Sequence, residues 1–289
     1  MEGPGQAVMQ ASPACQPTLS AESRPTPSAL NLFSIGQINK LPPEQMQQVY
    51  RCLVPLEILP LFQIDPQTLA DHEGRPLFEC RAGRSSVELF LRHAWDAQDP
   101  VLYVQLADTT SNQIEVVLFT VNDPYSERFD TDRMPDGTPT YFGTLARNVE
   151  EEVRAMEAGL APGQVRRGLG ATRRLVPVLE QFVAGLHHDA FYMQPLAYHN
   201  AILFERLGFS YALGLGRMEW IHQQFVLGGL LHQRLDGSTP FRRPGAEQSV
   251  RGRSWAIHDG ILGEPYRGVK MYKRASIHAG VVTFPSAAW

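Results

Sequence analysis

The sequence predicts a mixed α/β (α+β) domain built on a central sheet flanked by helices. Three observations predict it. Two β-branched and aromatic runs, 101–106 and 114–121, are separated by the polar stretch Asp108-Thr109-Thr110-Ser111-Asn112. A long apolar-periodic segment begins at a pair of glycines, Gly168 and Gly170. A further strand-like run, 190–194, comes after that segment and leads into a helix-like stretch that ends at Gly208. Strands and helices in that succession read as one mixed α/β layer arrangement.

Composition bounds the function. The 289 residues suffice for one large domain, and 43% hydrophobic with 19% charged residues suits a packed core. Lys and Arg number 26 against 30 Asp and Glu, a net charge of -4, which argues against nucleic acid held by a broadly basic surface. Cys15, Cys52 and Cys80 are too few and too scattered for a disulfide framework or a cysteine-rich zinc site. No apolar run approaches the ~18 residues of a membrane span. The first twenty residues lack the basic and apolar regions of a secretion signal. The expectation is a cytoplasmic protein with no nucleic-acid or membrane partner; a homodimer stays open.

Taken in order, residues 1–30 are rich in Pro, Ser, Ala, Gln and Gly and bury too little surface to offset the entropy of ordering. Residues 1–40 are therefore assigned to a flexible tail and the domain to 41–289. Pro42 and Pro43 suit a helix start, and Met46, Val49, Tyr50 and Leu53 recur at helical spacing. Ser85 with Glu88 three residues on predicts a capped helix over Ser85–His93. The runs 101–106 and 114–121 form a hairpin. Thr140-Tyr141-Phe142 reads as a short strand, and Arg147–Ala158 as a helix stopped by Gly159. After the glycine pair, Leu175, Leu179, Phe182, Val183 and Leu186 share one helical face.

The chemistry concentrates between Leu160 and Phe209. Two glycines at a helix start let backbone approach a ligand, and the free amides of the first turn suit a phosphate or pyrophosphate. Arg166 and Arg167 add positive charge beside them. The same glycines equally permit a mere tight turn. The spacing fits neither a dinucleotide fingerprint nor a nucleotide-triphosphate loop.

The residues on either side of the loop give it meaning. Pro162, then Val165-Arg166-Arg167-Gly168-Leu169-Gly170-Ala171-Thr172, a helix, the strand 190–194, and Glu205-Arg206-Leu207-Gly208-Phe209 occur in that order. This resembles the GNAT superfamily of N-acetyltransferases over residues 160–209. The resemblance implies a GNAT-like mixed sheet with an insertion at about 216–264 before a last strand at about 268–274. The hairpin 101–121 would supply the family's second and third strands. It implies acetyl-CoA, or another acyl-CoA, as co-substrate, lying in a splayed cleft between two parallel strands. Its pyrophosphate would rest on Val165–Thr172, and Asn200 and Phe204 would line the thioester end. Transfer would be direct, to a small-molecule or peptide amine, with Glu115 as candidate base, Tyr198 or His199 as candidate acid, and no metal.

Four departures from the family pattern stand out. Val165 takes a position that prefers Arg or Gln. No strand is legible immediately before the loop. Pro177 falls inside the helix after it. Phe204 replaces the tyrosine that often protonates the leaving thiolate. The alternative function is therefore a GNAT-fold binding or assembly module without catalysis.

Other clusters read more plainly. His187-His188-Asp189, with His199, has metal-ligand residue types, but neighbours on a helix diverge by about 100°, so a polar helix end is favoured over a metal hydrolase. Asp130-Thr131-Asp132 fails the calcium-loop template, with Tyr141 at the twelfth position. Glu150-Glu151-Glu152 reads as a solvated helix face. Arg242, Arg243, Arg251, Arg253 and Trp255 either pack the insertion or contact an adenine or acidic partner; packing is favoured.

Overall fold

The computed structural model describes residues 27–286 and 288–289, and seven strands among them join in one mixed sheet. The strands are β1 Phe78–Ala82, β2 Ser86–Leu91, β3 Leu102–Asp108, β4 Ile114–Val121, β5 Ala190–Met193, β6 Ser210–Leu213 and β7 Lys270–Arg274. Their order across the sheet is β1-β2-β3-β4-β5-β7-β6. β1 to β4 run antiparallel, β4 and β5 are parallel, and β7 is antiparallel to both β5 and β6. The helices are α1 Ile35–Ile38, α2 Pro43–Arg51, α3 Val149–Glu157, α4 Thr172–Gly185, α5 Tyr198–Arg206, α6 Leu215–Phe225, α7 Leu230–Gln233 and α8 Val250–His258.

Period-two patterning decides which face of the sheet is covered. Val87, Leu89, Val104, Leu106, Val116, Phe191 and Met271 are 0–2% exposed and lie in register on one face. Glu88, Tyr103, Gln105, Glu115, Tyr192 and Tyr272 alternate with them on the other and are half-buried. One apolar and one polar face is the expected signature of largely antiparallel strands. α2 and α4 meet over the covered face, where the Tyr50 and Phe182 rings lie 6.2 Å apart.

Several expectations change here. Ser85–His93 is the strand β2, not a capped helix. Val87, Leu89 and Leu91 are buried at alternate positions, a period that would scatter them around a helix. Glu88, read as a capping residue, instead accepts a hydrogen bond from the Tyr103 hydroxyl at 2.8 Å. Residues 1–26 of the expected tail lie outside the described residues, but 27–40 belong to the fold. Ile35 and Ile38 are fully buried, and the Ile35 and Gly36 amides both donate to the Asp108 carboxylate at 2.8 Å. Thr140-Tyr141-Phe142 is a turn in which Tyr141 and Phe142 adopt positive φ.

The expected helices at 43–51, 149–157 and from 172 are present. Pro177 sits at the sixth residue of α4 with its ring exposed, so the helix continues past it without the amide hydrogen bond that proline lacks. Residues 214–269 between β6 and β7 contain the helices α6, α7 and α8 joined by turns. α6 to α8 contribute Met218, Ile221, Phe225, Leu231, Val250 and Ile257 to the main core.

Candidate functional site

β4 carries the feature on which the site depends. Its pairing with β3 is regular from Leu102↔Val121 to Gln105↔Leu118, and then Leu106 faces Val116. Val117 is left over. An extra residue on one strand is a β-bulge, which bends the strand and frees backbone groups from the ladder. The parallel pairing of β4 with β5 covers Ile114–Val116 against Phe191–Met193 and ends at the same point. From Val117 onward, the β5-side edge of β4 has no strand partner among the described residues, and Val117 itself is 38% exposed.

Beyond β4 the chain makes an excursion over residues 122–167, which contains α3, and returns to where it left. The Asp123 amide donates to the Arg167 carbonyl at 2.7 Å, and Asn122 bridges to Gly168. The strand preceding the glycine loop is therefore β4, displaced from it in sequence but adjacent in space. No strand is legible immediately before the loop because the excursion separates the two, and the second hairpin strand is the neighbour of β5.

The eight expected loop residues divide. Val165 accepts from the Phe129 amide at 2.8 Å through its carbonyl. The Arg166 guanidinium donates to Asp99 at 2.9 Å and to the Pro124 and Ser126 carbonyls, so it fastens the excursion rather than facing a ligand. The Arg167 amide is taken by Ser126 Oγ at 3.2 Å. Gly168 packs against the strand: a Cβ there would lie 3.1 Å from the Val121 carbonyl. Leu169 is half-buried against the core. Gly170 has φ +67° and open space where a Cβ would be, and Ala171 and Thr172 begin α4 with no side chain capping them. The first amides of a helix lack intrahelical acceptors. The available donors thus run from Gly170 into the first turn of α4, a narrower stretch than the sequence suggests.

α5 packs against β4. Phe204 is buried between Phe119 of β4 (6.0 Å between ring centres) and Phe209 (5.2 Å). Its phenyl ring can give no proton. Asn200 is half-buried one turn earlier. His199 is buried against α8, where its Nδ1 meets Ser254 Oγ at 2.9 Å. Burial, reinforced by the nearby Arg251 charge, pushes its pKa down to about 3, so the ring is neutral at pH 7. Tyr198 is also fully buried; its hydroxyl lies beside the Arg253 guanidinium without a hydrogen-bond partner of good geometry. Burial pushes that hydroxyl up to about 12.

Glu115 lies elsewhere, on the half-open face of the sheet two residues before the bulge. It is ion-paired with Lys270 at 3.3 Å, and that ammonium also sits 5.2 Å from the Tyr192 ring centre. The carboxylate engages this lysine on the sheet face, whereas His199 engages Ser254 on α8, so the structure does not bring the expected base and acid into one hydrogen-bonded pair.

Sequence reasoning missed a buried polar clasp between the excursion and the insertion. Glu152, expected on a solvated face, is 3% exposed. It accepts from Arg147 Nε and His258 Nε2, both at 2.9 Å. Arg147 also donates to Asp259 at 2.9 Å, and Arg242 reaches the same carboxylate at 2.8 Å. Trp255 is the apolar half of this junction: it is 1% exposed, stacks on Phe241 at 5.2 Å, and donates through Nε1 to the Leu160 carbonyl at 2.8 Å. A lone glutamate among three gives no sign of this, because its partner His258 lies about a hundred residues away.

The remaining motifs find local roles. The His187 ring packs at a tilt against Phe33, with 4.8 Å between ring centres, and His188 Nε2 meets the Phe33 carbonyl at 2.8 Å, so both fasten the N-terminal segment. Asp130 and Asp132 pair with Arg128. Among the described residues no cluster of His, Cys, Asp and Glu is arranged to hold a metal ion. Nor is any helix among them long and apolar enough to cross a membrane. No protein-family model, curated protein or solved structure matches the chain at a significant level.

Proposed function

We propose that this chain is an acyl-CoA-dependent N-acyltransferase of the GNAT kind, acting by direct transfer on a small-molecule or peptide amine, with acetyl as the favoured acyl group. The observation that carries the reading is the bulge at Val117, which coincides with the end of the β4–β5 parallel pairing. Such a break suits the splayed cleft that the glycine loop and the Glu205–Phe209 motif imply. The uncapped first turn of α4 stands at the end of the same strand through the Asn122–Gly168 bridge.

The residues fit the co-substrate. Amides from Gly170 into the first turn of α4 would hold the pyrophosphate, with the helix dipole in support. The unpaired edge of β4 over 117–121 offers hydrogen-bonding groups to the amides of a pantetheine arm. Acyl-CoA supplies an activated thioester carbonyl. A backbone amide freed at the bulge is the candidate donor to the developing oxyanion. Glu115, held beside Lys270, would receive the proton that the attacking amine releases. Tyr198 keeps its proton at neutral pH and remains the acid candidate by chemistry, although burial against α8 separates it from solvent. His199, neutral and bonded to Ser254, is a positioning residue that fixes α5 on α8.

A second reading, a CoA-binding module without transfer, is favoured by one observation: Phe204 occupies the acid position and is locked between two rings. Calorimetric titration with CoA, paired with release of free thiol from acetyl-CoA over a panel of amines, separates the two. The informative variant is Thr172→Glu. A carboxylate in the first turn stabilises a helix by roughly 0.3–1 kcal/mol, so the variant folds at least as well while repelling a pyrophosphate. Micromolar CoA binding that weakens tenfold or more in Thr172→Glu supports the site; equal binding by both proteins, or none by either, refutes it. Binding without thiol release selects the module.

A further inference from the structure

A cavity of about 320 Å³ lies where the excursion meets the insertion, and no residue of α4 lines it. Its floor is apolar, formed by Met156, Leu160, Phe241 and Trp255, and Arg243 and Arg251 stand in its wall. The two arginines differ. Arg243 has a carboxylate partner, Glu157, at 3.3 Å. Arg251 lies 5.8 Å from the Trp289 ring centre, but among the described residues it has no carboxylate within ion-pair distance, and its buried Nε has no hydrogen-bond partner.

Three circumstances make this guanidinium costly where it stands. It is partly desolvated, which disfavours its charge. Arg167 lies close enough to repel it, and that side chain donates to the Ala158 carbonyl rather than to any carboxylate. It also occupies the first turn of α8, where the helix dipole opposes a cation. A protein places an unmatched cation beside an apolar cavity at a net cost unless an anion completes the arrangement. A guanidinium fork fits a carboxylate in particular, through two parallel N–H···O bonds.

We infer that this cavity is a binding site for a small apolar carboxylate, whose anionic end is received by Arg251 and whose hydrocarbon or aromatic body lies on Leu160, Phe241 and Trp255. The size suits a molecule with a single ring or a short branched chain, and a mainly apolar lining with one charged anchor is the usual make-up of such sites. The cavity shares no lining residue with the bulge or the first turn of α4.

The test uses the full chain without CoA. Calorimetry and thermal melts are run with 4-phenylbutyrate and with the neutral 4-phenylbutyramide. The carboxylate is expected to bind at least tenfold more tightly than the amide and to raise the melting temperature. Arg251→Gln exchanges repulsion by Arg167 for the loss of a contact with the Trp289 ring, so it should stay folded with a melting temperature close to the parent's, and it should bind the acid and the amide equally. An acid-to-amide ratio near one in the parent overturns the inference. So does the same preference in Arg251→Gln.

Discussion

His199 gives the fold a built-in sensitivity to acid whose size can be worked out and measured. In the unfolded chain its imidazole titrates near the ordinary 6.5, whereas in the folded protein burial holds it down to about 3. As pH falls below 6.5, the unfolded chain takes up a proton that the native ring refuses. This residue therefore leaves stability intact above pH 6.5 and removes it progressively as pH falls toward 3. Each pH unit in that window is about 1.4 kcal/mol, so the whole shift amounts to roughly 4–5 kcal/mol, and the interval from pH 6.5 to 5 to about 2 kcal/mol. Against a typical total of about 5–15 kcal/mol, that is a large share. The perturbation is His199→Asn, which keeps a polar atom for Ser254 Oγ but cannot titrate. The assay is urea unfolding at half-unit steps from pH 7.5 to 5, above the range where carboxylates titrate. His93 and His222 are also held below their ordinary value by burial, but they contribute equally to both proteins and cancel in the comparison. The variant will be less stable at pH 7.5, and its stability should fall by about 2 kcal/mol less than the parent's on descending to pH 5. Parallel pH profiles would refute the burial argument and reopen His199 as a proton donor.

Two other substitutions probe the cleft and the clasp. Phe204→Tyr places a hydroxyl where the GNAT resemblance implies an acid; in the transferase reading the turnover rate should rise about tenfold or more, at a stability cost on the order of 1 kcal/mol. An unchanged rate in a folded variant that binds CoA counts against an acid role at that position. Glu152→Ala leaves Arg147 and His258 without their shared buried acceptor and should cost about 3–5 kcal/mol, read as a melting temperature lower by roughly 10 °C; a drop below 2 °C would mean that the clasp contributes little.

How much of the fold and the site is legible in the sequence depends on how local each feature is. The helix at Pro43–Arg51 and the hairpin 101–121 announce themselves through neighbouring residues, as does the succession from Gly168 to Phe209, and all of these are present. Ser85–His93 misleads because its two-residue capping pattern competes with an alternation of three apolar residues, and cross-strand partners on both sides decide for the strand. The strand beside the glycine loop is hidden because the excursion 122–167 separates two segments that touch. The bulge at Val117 has no residue signature; it exists only in the register of β3 against β4. Glu152 and Arg251 are opaque for the same reason, since a charge declares itself buried, paired or unmatched only when distant segments close around it.

The central claim is that the bulged edge of β4 and the first turn of α4 hold one ligand between them. Amide hydrogen exchange with and without saturating CoA tests it most directly. Slowed exchange in both 117–121 and 170–174, with 86–91 unaffected, is the expected result; unchanged exchange in those two segments while CoA is demonstrably bound would place the ligand elsewhere and contradict the claim.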